Sequence, residues 1–244
     1  MRRHSPVLVA PVVAALALAL SACGQGGASA DAQAQAAARE QDASAVLADF
    51  ESAYTAGDWG RARLKIDELH LEYAGTQAEA KAMAHYDEVK TKSDVRREED
   101  RQKSLWDYQT NPEGKGQQIS AAMYSKNEIA IAGGASHVQL IFRDHPEWKR
   151  STYIVLSRGD IDCYKGCKVK VTVDGTTKML DGLRPDTKEA ISMFINPDRA
   201  LWKAIQHHKV LTIEIPVKGG QKQTGEFEVG GLDPARMPKA WSAQ

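Results

Sequence analysis

Three things are scarce in this 244-residue chain: cysteine, with three residues, aromatic side chains, at 7% of the total, and any excess of charge. Thirty-two basic side chains balance thirty-two acidic ones. A zero net charge removes the electrostatic footprint on which nucleic-acid binding depends, so no nucleic-acid partner is expected. Gly-x-Ser-x-Gly, His-Glu-x-x-His, a P-loop and a dinucleotide fingerprint are all missing, which takes away the common signatures of hydrolytic, zinc-dependent and nucleotide-dependent chemistry. What remains is ordinary globular material: 42% hydrophobic and 26% charged, enough to bury a core and too apolar to stay unfolded.

The N-terminal segment reads as an address. Arg2 and Arg3 precede an uninterrupted apolar run, residues 6–20, and small residues follow up to Cys23. This is the plan of a secretory signal. The run is about 15 residues long, short of the ~18–20 that span a bilayer. Its closing residues, Leu20-Ser21-Ala22-Cys23, resemble the lipobox of bacterial lipoproteins. The resemblance implies cleavage after residue 22, lipidation (palmitate among the acyl groups) at Cys23, and a periplasm-facing protein anchored in the cell envelope without a transmembrane helix. Gly24 stands where that family places an inner-membrane retention Asp, so the outer membrane is implied.

Residues 23–43 open with Gly and Ser and continue rich in Ala and Gln, and read as a flexible tether. From residue 44 the apolar positions take helical spacing. Val46, Leu47, Phe50 and Tyr54 share one face, Gly57-Asp58 stops that helix and caps the next, and Trp59, Ala62, Ile66, Leu69 and Tyr73 form a second stripe. Thr76 and Glu79 suggest a capping box for a third, long helix running towards Trp106. Residues 44–73 resemble a tetratricopeptide helix hairpin, which implies an envelope protein partner for the helical region, residues 44–108. A plain helical hairpin fits the same pattern.

Asn111-Pro112 and two glycines mark residues 109–117 as a linker. Beyond it, in residues 118–244, the period falls to two. Val138, Leu140 and Phe142 alternate with polar residues, as do Val169, Val171 and Val173, then Leu211, Ile213, Ile215 and Val217, and finally Phe227 and Val229. Strands with one wet face predict an antiparallel sandwich or barrel-like domain. Asp174-Gly175 predicts a tight hairpin. One short helix is expected with Asn196 as cap, Pro197 in its first position, and Leu201 and Ile205 facing the core. The fold class is thus α+β. Residues 153–232 loosely resemble a β module of uncharacterised Gram-negative envelope proteins through Asp162-Cys163, Cys167 and the closing Phe227 to Leu232; that resemblance implies no activity.

In an oxidising compartment Cys163 and Cys167 are expected to form a disulfide. Closing so short a loop adds only about 2 kcal/mol on the chain-entropy model. Asp144-His145-Pro146-Glu147 is the best acid/base cluster, an imidazole flanked by two carboxylates, and would serve a hydrolase; an exposed turn fits the same residues. His207-His208 is expected at a helix end, where adjacent residues point too far apart to share a metal readily. No cofactor, metal site or catalytic set is assigned. Residues 31–110 carry 11 basic and 17 acidic side chains, and residues 111–244 carry 19 and 15, an asymmetry most simply read as solvated surface. The expectation is a lipid-anchored module that binds or scaffolds, with a structural or stress-related lipoprotein as the alternative and an envelope hydrolase as the second.

Overall fold

The computed structural model describes residues 25–219 and 222–242. The signal segment and Cys23 lie outside the described residues. Two units are present, residues 1–93 and 94–244, with the boundary inside a helix.

The first unit is helical. Helix α1 spans Gln25–Thr55, α2 Trp59–Glu72, α3 Gln77–Met83, and α4, Tyr86–Ser104, carries the chain across the boundary. Between α1 and α2, Gly57 adopts φ +69°, a left-handed stop that costs a glycine little, and Asp58 accepts a hydrogen bond from the Arg61 N–H. The expected stripes meet in one core: Leu47, Phe50 and Ala53 from α1 pack with Ala62, Ile66 and Leu69 from α2 and with Ala78, Ala82 and Val89.

Three expectations for the helical region are corrected. The flexible tether of residues 23–43 is helical from Gln25. Ala, Gln, Glu and Arg beyond the glycines are strong helix formers, and the helix is tied down where Glu40 accepts the N–H groups of Gln77 and Ala78 at the start of α3 and Arg39 donates to the Glu72 carbonyl. The long third helix is two helices, α3 and α4, broken at Ala84-His85. The capping box is half formed: Thr76 Oγ1 accepts the Glu79 N–H, but the Glu79 carboxylate reaches back to the Gly75 N–H and to His70.

The second unit is an antiparallel sheet. Its strands are β1 (Asp107–Glu113), β2 (Gly116–Tyr124), β3 (Ile129–Ile131), β4 (Gly134–Ser136), β5 (Val138–His145), β6 (Lys149–Leu156), β7 (Cys167–Val173), β8 (Thr176–Leu183) and β9 (Ser192–Asn196). Helix α5 (Asp198–Ile205), strands β10 (Val210–Ile215) and β11 (Gln223–Glu228) and a last turn, α6 (Lys239–Ser242), complete it. Nine strands form one sheet in the order β1-β2-β5-β6-β9-β8-β7-β10-β11, with β3-β4 as a separate ribbon. The alternating residues foreseen from the sequence line its inner face: Val138, Leu140, Phe142, Val169, Val171, Leu211, Ile213, Ile215 and Phe227 are all buried. Residues from both ends of the sheet share one core with Leu201, Trp202, Ile205 and Trp241, and Lys126 donates its N–H to the Glu226 carbonyl, so the sheet wraps around a single interior and is closer to a barrel than to two stacked layers.

The linker expected at residues 109–117 is the β1-β2 hairpin, paired from Asp107↔Ala122 to Glu113↔Gly116. Pro112 is tolerated because β1 is an edge strand and needs no donor on its outer side. Asp174 and Gly175 both take positive φ, 41° and 87°, as a tight hairpin requires. Asn196 is not the helix cap. It is the last residue of β9, and Pro197, joined to it by a cis peptide, occupies the cap position with no side-chain hydrogen bond. The C-terminal part of α4 lies against the 3-10 turn Val229–Gly231, where Arg101 pairs with Glu228 and where only glycine fits at residue 231, since a Cβ there would overlap the backbone of Gln102 and Lys103.

Candidate functional site

The cysteines are the simplest part. Cys163 and Cys167 bring their sulfurs to bonding distance, with Cα atoms 5.3 Å apart, and the bridge closes the loop leading into β7. Gly182 backs it, because any side chain there would press on Cys167 Sγ and Val169.

Beside this loop lies an arrangement that no spacing in the sequence announces. The Arg184 side chain is 1% exposed and pairs with Asp160 Oδ1 at 2.7 Å. The same nitrogen donates to the Ile161 carbonyl, the other terminal nitrogen donates to the Thr187 carbonyl, and the Tyr164 ring covers the guanidinium at 3.9 Å. Asp160 also accepts from the Ala190 N–H, the Tyr164 hydroxyl and Lys218 Nζ. Burial by itself would push the Asp160 carboxyl up; these hydrogen bonds and the Arg184 charge outweigh it and hold the group below the usual carboxylate range. Such a fully bonded pair pins three loops together and offers no open position for a substrate.

The Asp144-His145-Pro146-Glu147 cluster does not assemble as an acid/base set. His145 is 2% exposed, and its Nδ1 accepts the N–H groups of Glu147 and Trp148 at 3.1 and 3.2 Å. The imidazole therefore fixes the turn between β5 and β6 through Nδ1, and neither flanking carboxylate forms a hydrogen bond with it. That turn delivers the chain to Lys149, at φ +60° the left-handed first residue of β6, opposite His145. Its product is the position of Trp148, which stacks on His145 and stands 66% exposed above the sheet.

His207 and His208 lie past the end of α5, His207 at φ +65° and His208 bonded through Nδ1 to Asp174. The Asp174 carboxyl, which accepts N–H groups from Val210 and Lys209 as well, is held below its ordinary range, the Val210 bond contributing most. The histidines do not converge, and among the described residues no group of three or more His, Cys, Asp or Glu side chains is placed to hold a metal.

The open feature is on the outer face of the sheet. Ile141, Tyr153, Phe194 and Leu183 are cross-strand partners in one row over β5, β6, β9 and β8, with Arg143 opposite Ser151 on the same face. Of these residues Leu183, Phe194, Arg143 and Ser151, together with Trp148, Arg150, Thr152 and Asn196, border a cleft of about 460 Å³. Arg143 donates from Nε to Ser151 Oγ, and its guanidinium carbon sits 5.3 Å from the Trp148 ring and 5.1 Å from the Tyr153 ring. Tyr153 and Phe194 meet at 5.5 Å, and burial raises the Tyr153 hydroxyl above its ordinary range. Two nearby carboxylates are engaged: Asp198 pairs with Arg150, and Asp181, opposite Asn196, pairs with Lys168. Alternation along β5 marks Arg143 as outward-facing, but the strand pairing that brings Phe194 and Leu183 to it is not encoded in local spacing.

No protein-family model, curated protein or solved structure matches the chain. Among the described residues no helix is long and apolar enough to cross a membrane.

Proposed function

We propose that this protein is a lipid-anchored lipoprotein of the cell envelope, facing the periplasm from the outer membrane, that works by binding and not by catalysis. The lipobox-like ending at Cys23 supports the anchor. Two or more acyl chains hold a protein firmly, where one chain binds marginally.

The observation that carries the binding reading is the outward cleft with its preset arginine and exposed aromatic wall. Concave sites with apolar walls and a few fixed polar groups are the usual form of ligand sites. Binding is favoured over hydrolysis because His145, the best candidate for proton transfer, is buried and occupied by its own turn. The helical unit, with its hairpin of α1 and α2, is the surface proposed for an envelope protein partner.

Two measurements test this. Labelling with a radioactive fatty acid should mark the wild-type protein and not Cys23→Ser, and the variant should leave the membrane fraction; an unlabelled wild type overturns the anchor. Pull-down from crosslinked envelopes should recover a partner, and recovery should fall on deletion of residues 44–73 if the helices hold it, or on Arg143→Ala if the cleft does. An unchanged recovery with both removes the binding reading.

A further inference from the structure

The cleft has a chemistry specific enough to name its ligand class. Arg143 is held from three sides: its Nε donates to Ser151, and the Trp148 and Tyr153 rings lie 5.3 and 5.1 Å from its guanidinium carbon. An arginine tethered through Nε and packed beside two rings has lost part of its rotamer freedom before any ligand arrives, so less further ordering opposes binding. With Nε occupied, the two terminal nitrogens are the edge left to present. Their parallel N–H groups match the two oxygens of a carboxylate. Among the described residues no carboxylate pairs with Arg143; of those near the cleft, Asp198 is held by Arg150 and Asp181 by Lys168.

The walls decide which anion fits. Phe194, Trp148 and Leu183, the last 50% exposed, supply the apolar lining, while on the polar side Arg150 is held by Asp198 and the Thr152 hydroxyl donates to the Asp198 carbonyl. A phosphate dianion needs several donors or a second free cation to replace its hydration, and the second cation of this lining, Arg150, is already neutralised by Asp198. A singly charged carboxylate needs one fork, and an apolar group attached to it would cover the rings. The strands here are internal to the sheet, so their backbone groups are spent on the ladder and recognition falls to the side chains.

We infer that the Arg143 cleft binds a monocarboxylate joined to an aromatic or branched apolar group, the chemistry shared by the C-terminus of an apolar peptide and by a free aryl or alkyl acid. This rests on the reading of the outer sheet face as a binding surface. Asn196, on the rim, supplies an amide N–H that would donate to the carboxylate.

The test is calorimetric titration of the full-length protein in detergent with four probes: N-acetylphenylalanine, 3-phenylpropanoate, N-acetylphenylalaninamide and inorganic phosphate. Both carboxylates should bind, the amide and phosphate at least tenfold more weakly. Stronger binding of N-acetylphenylalanine than of 3-phenylpropanoate assigns the peptide terminus, and the reverse assigns the free acid. Arg143→Ala should weaken carboxylate binding tenfold or more, and Arg143→Lys should fail to restore it, since an ammonium has no fork. Should Arg143→Ala misfold, Asn196→Asp, at an exposed position, supplies a competing negative charge and should abolish binding in a folded protein. Phosphate binding as strong as carboxylate, or carboxylate binding indifferent to both substitutions, overturns the assignment. If no probe binds while the crosslinked partner is still lost in Arg143→Ala, the carboxylate class falls and the binding function stands; if neither occurs, the cleft is not a binding site, and the binding function falls with it only when deletion of residues 44–73 also leaves recovery unchanged.

Discussion

The imidazole of His145 and the indole of Trp148 lie 4.1 Å apart with 11° between their planes. The same imidazole accepts two N–H groups of the turn that carries the tryptophan. A histidine that looks catalytic by its carboxylate neighbours is thus a support for an aromatic wall.

His145→Ala should lower unfolding free energy by roughly 1–3 kcal/mol, because it strands two turn N–H groups and removes the stack. Glu147→Gln, at an exposed carboxylate without a bond to the ring, should stay within about 0.5 kcal/mol of wild type. Urea unfolding of the two variants measures both. Equal, small effects would return the cluster to candidacy as an acid/base set.

The Arg184–Asp160 pair should make the β unit sensitive to acid in a defined window. The folded Asp160 carboxyl lies below its unfolded value, so its contribution is complete above about pH 3.9, the ordinary Asp value, and is lost as pH falls through the folded value. Asp160→Asn should cost about 3–5 kcal/mol at neutral pH by leaving Arg184 buried without its counter-charge. It should also flatten the fall in stability as pH drops below about 4. Unfolding free energies of both proteins across that range provide the check; parallel curves would contradict the assignment.

Reduction of the Cys163–Cys167 bridge should cost only about 2 kcal/mol, since the closed loop is short. The fold should persist under dithiothreitol while the midpoint of urea unfolding falls. Maleimide labelling of unreduced, denatured protein should find neither thiol free.

Two glycines with positive or crowded backbones should respond differently to alanine. Gly75 has φ +85° and open space around it, so Gly75→Ala should cost about 1 kcal/mol from backbone strain alone. Gly231→Ala places a methyl group on the backbone of α4 and should cost several-fold more, or displace the helix end. Thermal unfolding of the two variants compares them directly.

The helical unit was legible because its signals are local. Gly57 and Asp58 stop and start helices with their own backbone and side chain, and Leu47, Phe50, Ile66 and Leu69 repeat at the period of one turn. The strands were legible for the same reason, and Asp174-Gly175 announced its turn. The tether expected at residues 23–43 and the linker expected at 109–117 were not legible, because their signals are compositional and their structure depends on what they pair with. Alanine and glutamine after the glycines favour helix, and Pro112 is harmless on a strand whose outer edge is unpaired.

The cleft and the buried ion pair were beyond reach of any local pattern. Arg143 meets Phe194 through an intervening strand, and Arg184 meets Asp160 across 24 positions. The sequence by itself determined which residues turn inward on each helix and strand, because periodicity and turn chemistry act within a few residues. Only the tertiary structure decided that β9 follows β6 in the sheet, and with it which outward side chains share a surface, because strand order is set by burying one continuous core and not by the order of the chain.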